Sequence, residues 1–262
     1  MTIDYEKEYN NRARVPEHQQ IFDGWARDAA AYRAARPKAE LGISYGPSPR
    51  QILDIFPADD ADAPLALFIH GGWWMSLHPS SFSHMAAGPN ARGVTVAVAG
   101  YDLCPDVTIA QITDQIRNAC LLLWRKYRKR FAVYGHSAGG HLTAIALEVP
   151  GVHAGIAISG LYDLEPIQLC YLNEALRMNP EEARRCSPMH RTPGTAPCAV
   201  AVGAAELPEL VRQSREYAAF LRAKGIDATS LETPGDEHFS VLDHLARPDG
   251  LLANAAVKLA GL

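Results

Sequence analysis

The chain has 262 residues, and its 25 Lys and Arg against 29 Asp and Glu leave a formal charge of −4. That balance carries neither the basic excess of a nucleic-acid surface nor an acidic tail. With 48% hydrophobic and 21% charged residues, the composition supports a sizeable core and excludes disorder, collagen-like repeats and coiled coil for the chain as a whole.

The first residues, MTIDYEKEYNNRAR, hold no apolar run, so no secretory signal is expected. No stretch approaches the ~18 apolar residues of a membrane helix. Residues 1–40 are polar and rich in Arg and Tyr. Ile21, Trp25 and Tyr32 fall near helical spacing, which predicts a helix over 15–36 that lays one face on another surface, with Pro37 as its stop. No Gly/Ser linker follows, so this segment reads as a cap on one domain spanning 1–262.

From residue 51, short apolar runs alternate with helical patterns. Strands are expected at 51–56, 65–70, 94–100, 131–134, 155–159, 199–203 and 228–232. Several runs are continuous rather than alternating, as in Leu-Ala-Leu-Phe-Ile, which is the pattern of strands covered on both faces of a parallel sheet. Ile109, Ile112, Ile116, Leu123 and Tyr127 share one helix stripe; Leu210, Tyr217, Ala218 and Leu221 share another. The fold class is α/β, a mostly parallel, doubly wound sheet flanked by helices. Residues 165–197 lack an apolar run and read as an insertion of helices and loop at the carboxyl edge of the sheet. The five Cys (104, 120, 170, 186 and 198) are odd in number, scattered and without a CxxC pair. They predict neither disulfides nor a zinc site, and read as small buried hydrophobes of a reducing, cytoplasmic setting.

The strongest chemical signal is Gly135-His136-Ser137-Ala138-Gly139, directly after the strand at 131–134 and before a helix-capable segment at 141–148. A sharp strand-to-helix turn brings the backbone close to itself, so Gly135 and Gly139 must lack bulk, and Ser137 projects from the tip as a nucleophile. A second signal, His70-Gly71-Gly72-Trp73-Trp74, ends another strand. A Gly turn there lets backbone N–H groups point at a developing oxyanion.

A nucleophilic Ser needs a base, and His238 lies just after the last expected strand, in Asp236-Glu237-His238. His70 and His136 belong to the two turns, and His141 lies in the helix after Ser137. His84, His153, His190 and His244 read as packing or surface residues, and His18 and His78 as pocket borders at most. The orienting carboxylate should follow the strand at 199–203. Glu206 is nearest the strand end; Glu209, beyond Pro208, and Asp236, two residues before His238, are the alternatives. No dinucleotide fingerprint, P-loop or HExxH motif is present, so neither cofactor nor metal is expected.

These motifs together resemble the arylformamidases (kynurenine formamidases) and related bacterial esterases of the α/β-hydrolase superfamily. The likeness rests on EYNNRARVP at 8–16, HGGWW at 70–74, YDLCP at 101–105, GHSAGGHL at 135–142, SGLYDLEP at 159–166 and DEHFS at 236–240; ELPELVRQS at 206–214 looks like the acid-bearing loop. The resemblance spans nearly the whole chain and implies an α/β-hydrolase fold. It implies the triad Ser137, Glu206 and His238, and an oxyanion hole of the Gly72, Trp73 and Ala138 amides. Many family members have Asp where Glu206 stands and often Tyr where Trp73 stands. The implied reaction removes a formyl group from an aromatic amide through an acyl-enzyme. Trp73 and Trp74 would stack on the leaving group, with whether Trp25 of the cap joins them left open; packing between cap and sheet is the alternative role for these rings. A carboxylesterase or thioesterase for short-chain esters is the alternative activity, and a non-catalytic ligand-binding homologue is the alternative of another class. The implied partner is a small acyl substrate with an aromatic leaving group, with no nucleic acid or membrane, and with a homodimer left open.

Overall fold

The continuous apolar runs become strands sealed on both faces. The computed structural model describes residues 3–262, so the first two residues of the expected cap lie outside them. The strands are β1 (Glu40–Ser44), β2 (Ile52–Phe56), β3 (Leu65–Ile69), β4 (Thr95–Ala99), β5 (Phe131–His136), β6 (Val152–Ile158), β7 (Cys198–Gly203) and β8 (Ala228–Thr233). They form one sheet in the order β1-β2-β4-β3-β5-β6-β7-β8. β2 runs antiparallel to β1 and β4, and all other neighbours are parallel. At the centre, Leu67 of β3 lies opposite Ala97 of β4 and Val133 of β5.

Seven of these strands were expected; β1 was not. Its residues ELGIS are mostly exposed and carry no apolar run. It is held as an edge strand by pairing with β2, and the Gly42 N–H donates to the buried Asp54 carboxylate at 2.8 Å. Such an edge strand is specified by its neighbour rather than by its own side chains.

Strand alternation sends residues to two cores. Leu65, Leu67 and Ile69 of β3 face one side, with the helices Ile109–Tyr127 and Pro208–Ala223. Ala66 and Phe68 face the other, with the helices His18–Ala34 and Leu251–Ala260. Each fully buried Leu or Phe contributes ~1.5–3 kcal/mol through area removed from water. The helix Ile109–Tyr127 starts at a capping box, in which Thr108 accepts the Gln111 N–H and Gln111 reaches back to the Thr108 N–H.

The expected cap helix over 15–36 spans His18–Ala34, preceded by the short helices Tyr5–Glu8 and Asn11–Arg14. It docks through Trp25, whose ring lies 5.3 Å from Phe82 and 6.0 Å from Phe239. Its far end is tied by Arg33 to Asp54, at 3.2 Å. The segment 165–197 forms the helices Glu165–Gln168, Asn173–Leu176 and Pro180–Cys186 and a 3₁₀ turn at Pro188–His190. Pro166, Pro180 and Pro188 stand in first turns, where a missing N–H costs nothing. All five Cys are free and buried. Burial pushes the Cys120 and Cys198 thiols up to about 12. No helix among the described residues is long and apolar enough to cross a membrane.

Candidate active site

Three loops at the carboxyl ends of parallel strands converge, the usual place for a site in a sheet of this kind. β5 ends at His136 and the next helix, Ala138–Ala146, begins two residues later. Ser137 between them is held at φ 58°, ψ −119°, a strained conformation for a residue with a side chain. The turn closes only because its glycines lack Cβ atoms. One on Gly139 would run into the Ile69 carbonyl, and one on Gly135 would meet Thr143 Oγ1 at 2.6 Å.

Glu206 follows β7 and His238 follows β8. Glu206 Oε2 accepts from His238 Nδ1 at 2.6 Å, which leaves Nε2 facing Ser137 Oγ at 3.0 Å. The partners fix the tautomer: Nδ1 carries the proton and Nε2 presents its lone pair. The Glu206 side chain is fully buried, and its other oxygen accepts from Ser159 Oγ at 2.5 Å and from the Gly203 N–H at 2.8 Å. Three donors thus converge on the two oxygens of this buried side chain. Ser159 ends the run expected at 155–159 and sits at φ 50°. Nothing in the sequence around Ser159 marks it as a Glu206 partner beyond its place at the end of that run.

The alternative acids go elsewhere. Asp236 pairs with His244 Nε2 at 2.9 Å. Glu209 pairs with Arg212 at 2.7 Å and accepts the Tyr9 hydroxyl at 3.0 Å. Neither touches His238 among the described contacts. The guanidinium of Arg212 outweighs burial and holds the Glu209 carboxyl below its ordinary range.

The HGGWW turn lies beside Ser137. Gly72 has φ 113°, and Trp73 and Trp74 follow at φ 54° and 56°. Among the described residues, the N–H groups of Gly72, Trp73 and Ala138 donate to no protein acceptor. The two Trp part company, however. Trp73 lines the pocket over Ser137. Trp74 is 0% exposed and stands edge-on to His141 at 5.0 Å, inside the core. The expected stacking of Trp74 on a leaving group is corrected: consecutive left-handed residues swing neighbouring side chains to different sides of the turn.

Of the other His, His70, His84, His136 and His141 are buried. His136 Nε2 donates to the His238 carbonyl at 2.8 Å, which ties down the loop carrying His238. Burial, reinforced by His238, holds His136 well below the usual imidazole range. His70 is stacked between Tyr101 and Phe82, and burial lowers it to about 3. His141 donates to the Cys186 carbonyl at 2.8 Å, and burial lowers it to about 4. The motif around His136 marks only the turn; its contact with the His238 loop, 102 residues away, is tertiary.

The pocket over Ser137 is small, about 30 Å³, and its walls include Trp73, Phe82 and Phe239 and, from the cap helix, Phe22 and Trp25. Trp25 thus borders the site, as the cap reading allowed. The one constellation with metal-ligand geometry among the described residues is Asp163, Glu165 and His190, whose ligand atoms lie within 4.8 Å. Arg184 already reaches Glu165 at 3.3 Å, and this cluster does not line the pocket over Ser137.

No protein-family model matches the chain. A kynurenine formamidase from Salmo salar is 30% identical over 240 residues, covering 84% of this chain and 82% of its own. One from Drosophila melanogaster is 33% identical over 233 residues, covering 79% and 77%. The crystal structure of a proposed thioesterase from Silicibacter sp. TM1040 superposes with a TM-score of 0.90 at 31% identity, covering 98% of this chain and 100% of that one. Relatives at this identity over most of the chain, on a shared α/β-hydrolase fold, place the protein at family level: it belongs to the kynurenine formamidase family of α/β hydrolases.

Proposed function

We propose that the protein is a serine hydrolase that removes a formyl group from an aromatic amide. The observation that carries this reading is the line of hydrogen bonds from Glu206 through His238 to Ser137. Gly72 and Trp73 line the same pocket as Ser137, and their N–H groups, with that of Ala138, have no acceptor in the protein.

The chemistry follows from that line. Ser137 Oγ attacks the formyl carbon while its proton passes to His238 Nε2. Glu206 holds the imidazole in the productive tautomer and stabilises the imidazolium. The carbonyl electrons move onto oxygen, where the N–H groups of Gly72, Trp73 and Ala138 receive them; one such donor is typically worth ~3–4 kcal/mol of transition-state stabilisation. His238 then returns the proton to the amide nitrogen, the C–N bond breaks, and the aryl amine leaves. Water, deprotonated by the same His238, attacks the formyl ester of Ser137 and releases formate.

The pocket supports a small acyl group. Aromatic rings of Phe22, Trp25, Trp73, Phe82 and Phe239 wall the space beside Ser137, and a long acyl chain must displace them or shift the carbonyl from its donors. Trp73, at the mouth, offers its ring to an aromatic leaving group. A short-chain thioesterase or carboxylesterase is the second reading, favoured by the 0.90 TM-score to the proposed thioesterase. The test is kcat/KM on N-formyl arylamines beside aryl esters of increasing acyl length. Formyl and acetyl donors should react well, and chains of about six carbons or more at least tenfold less efficiently. Equal efficiency for acetyl and octanoyl esters, with no cleavage of aryl formamides, would give the case to the esterase reading.

A further inference from the structure

The amino-terminal segment reaches the pocket on an anchor of its own. The Tyr9 side chain is fully buried; its hydroxyl donates to Glu209 Oε2 at 3.0 Å and accepts from Gln213 Nε2 at 2.8 Å. Its ring stands edge-on to Trp73 at 6.2 Å. Asn10 then caps the next turn by accepting the Ala13 N–H at 3.0 Å, and Arg14 donates to the Ala205 carbonyl at 3.3 Å. Residues 9–14 are thus pinned between Trp73 and the helix Pro208–Ala223, and Asn11 and Arg12 are carried to the pocket on that frame.

Asn11 is only 2% exposed and lines the same pocket as Ser137 and His238. Neither its Oδ1 nor its Nδ2 has a hydrogen-bond partner in the protein. A buried carboxamide unused at both ends needs a polar partner from outside the chain. Arg12 lines this pocket and also an adjoining outer groove of about 280 Å³ that it shares with Trp73, Met75 and Tyr171. It therefore stands at the passage from one to the other. No Asp or Glu lines either cavity, and no other Lys or Arg does. Arg12 forms no ion pair among the described residues; its guanidinium lies 5.8 Å from the centre of the Phe22 ring.

We propose that Asn11 and Arg12 form a subsite for a carboxylate carried on the leaving group. The guanidinium fork matches a carboxylate in two parallel hydrogen bonds, and Asn11 Nδ2 offers a further donor from the buried side. The leaving group runs from Ser137 past Trp73 toward the outer groove, and Arg12 reads its charge at the junction. Arg12 is in this account a specificity-determining residue. The proposal rests on the hydrolase reading of Ser137, but not on the acyl group being formyl.

The test uses pairs of aryl donors with a carboxylate on an arm of one to three methylenes, each beside its neutral primary amide. One series carries an acetyl ester as the scissile group and a parallel series a formamide. The readout is the ratio of kcat/KM for carboxylate over amide. The wild-type ratio should reach at least tenfold at the best arm length and low ionic strength, and fall as salt screens the partly exposed guanidinium. Arg12→Gln should bring the ratio to within about twofold of one, Asn11→Ala should lower it, and Arg12→Lys should retain much of it. A wild-type ratio near one overturns the subsite. So does a ratio unchanged in Arg12→Gln, including the case where activity falls equally on both donors. Turnover and selectivity in the ester series with none in the formamide series would uphold the subsite and sink the formamidase reading. Formamide turnover without selectivity would do the reverse.

Discussion

Replacing Glu206 by Gln changes one atom at the most buried point of the site. The carboxylate uses one oxygen for Ser159 Oγ and the Gly203 N–H, at 2.5 and 2.8 Å, and the other for His238 Nδ1, at 2.6 Å. A Gln amide must put its NH₂ on one side or the other. If the NH₂ faces Gly203, two donors meet in a buried place, and an unsatisfied buried donor costs about 1–3 kcal/mol. If it faces His238, the Gly203 and Ser159 bonds survive, but Nδ1 must become the acceptor. Nε2 then carries the proton and can no longer take one from Ser137. The second arrangement is therefore favoured, and it abolishes the base. A tautomer error of this kind is worth on the order of 10⁴ in kcat, ~5 kcal/mol of barrier. The assay is steady-state hydrolysis of an aryl acetate, with thermal unfolding as the control for folding. We expect a fall of about 10³–10⁴ in kcat with Tm nearly kept. Asp236→Asn and Glu209→Gln should cost far less, because neither carboxylate reaches His238. Activity of Glu206→Gln within tenfold of wild type, or a crippling Asp236→Asn, would refute the reasoning.

Two further outcomes concern stability. Gly139→Ala should lower Tm by several degrees, since its methyl meets the Ile69 and His70 carbonyls and overpacking of this kind costs about 1–3 kcal/mol; an unchanged melting curve would show that the elbow has slack. The buried His make the fold acid-sensitive: burial lowers His70 to about 3 and His84 and His141 to about 4. With folded values below the ~6.5 of an unfolded chain, the unfolded state binds more protons between pH 6.5 and 4, so stability rises with pH in that window and is lost as pH falls. Each such His removes up to about 2 kcal/mol between pH 6.5 and 5; equal urea midpoints at pH 7 and 5 would contradict this.

Much of the fold is legible because its strands bury both faces, so apolar runs such as 65–69 announce themselves. β1 stayed hidden for the opposite reason: ELGIS has little to bury and owes its conformation to β2. The positions of Ser137, Glu206 and His238 could be read because each ends or follows a strand, and parallel topology gathers those ends. What surrounds them could not. Ser159 holds Glu206 from 47 residues away, and His136 holds the His238 loop through a backbone carbonyl. Trp74 illustrates a different limit, since HGGWW gives no hint that adjacent rings point to the mouth and the core. Tyr9 reaches Glu209 across 200 residues, so the role of residues 9–12 at the pocket depends on a docking that no local pattern encodes.

The serine mechanism itself is tested most directly by intact-mass analysis after treatment with a fluorophosphonate. The account predicts one adduct per chain, formed with loss of hydrolytic activity, mapped to Ser137 and absent from a folded Ser137→Ala variant whose turnover is reduced by several orders of magnitude. No adduct on the wild-type protein, or an adduct and turnover that both persist in Ser137→Ala, would contradict it.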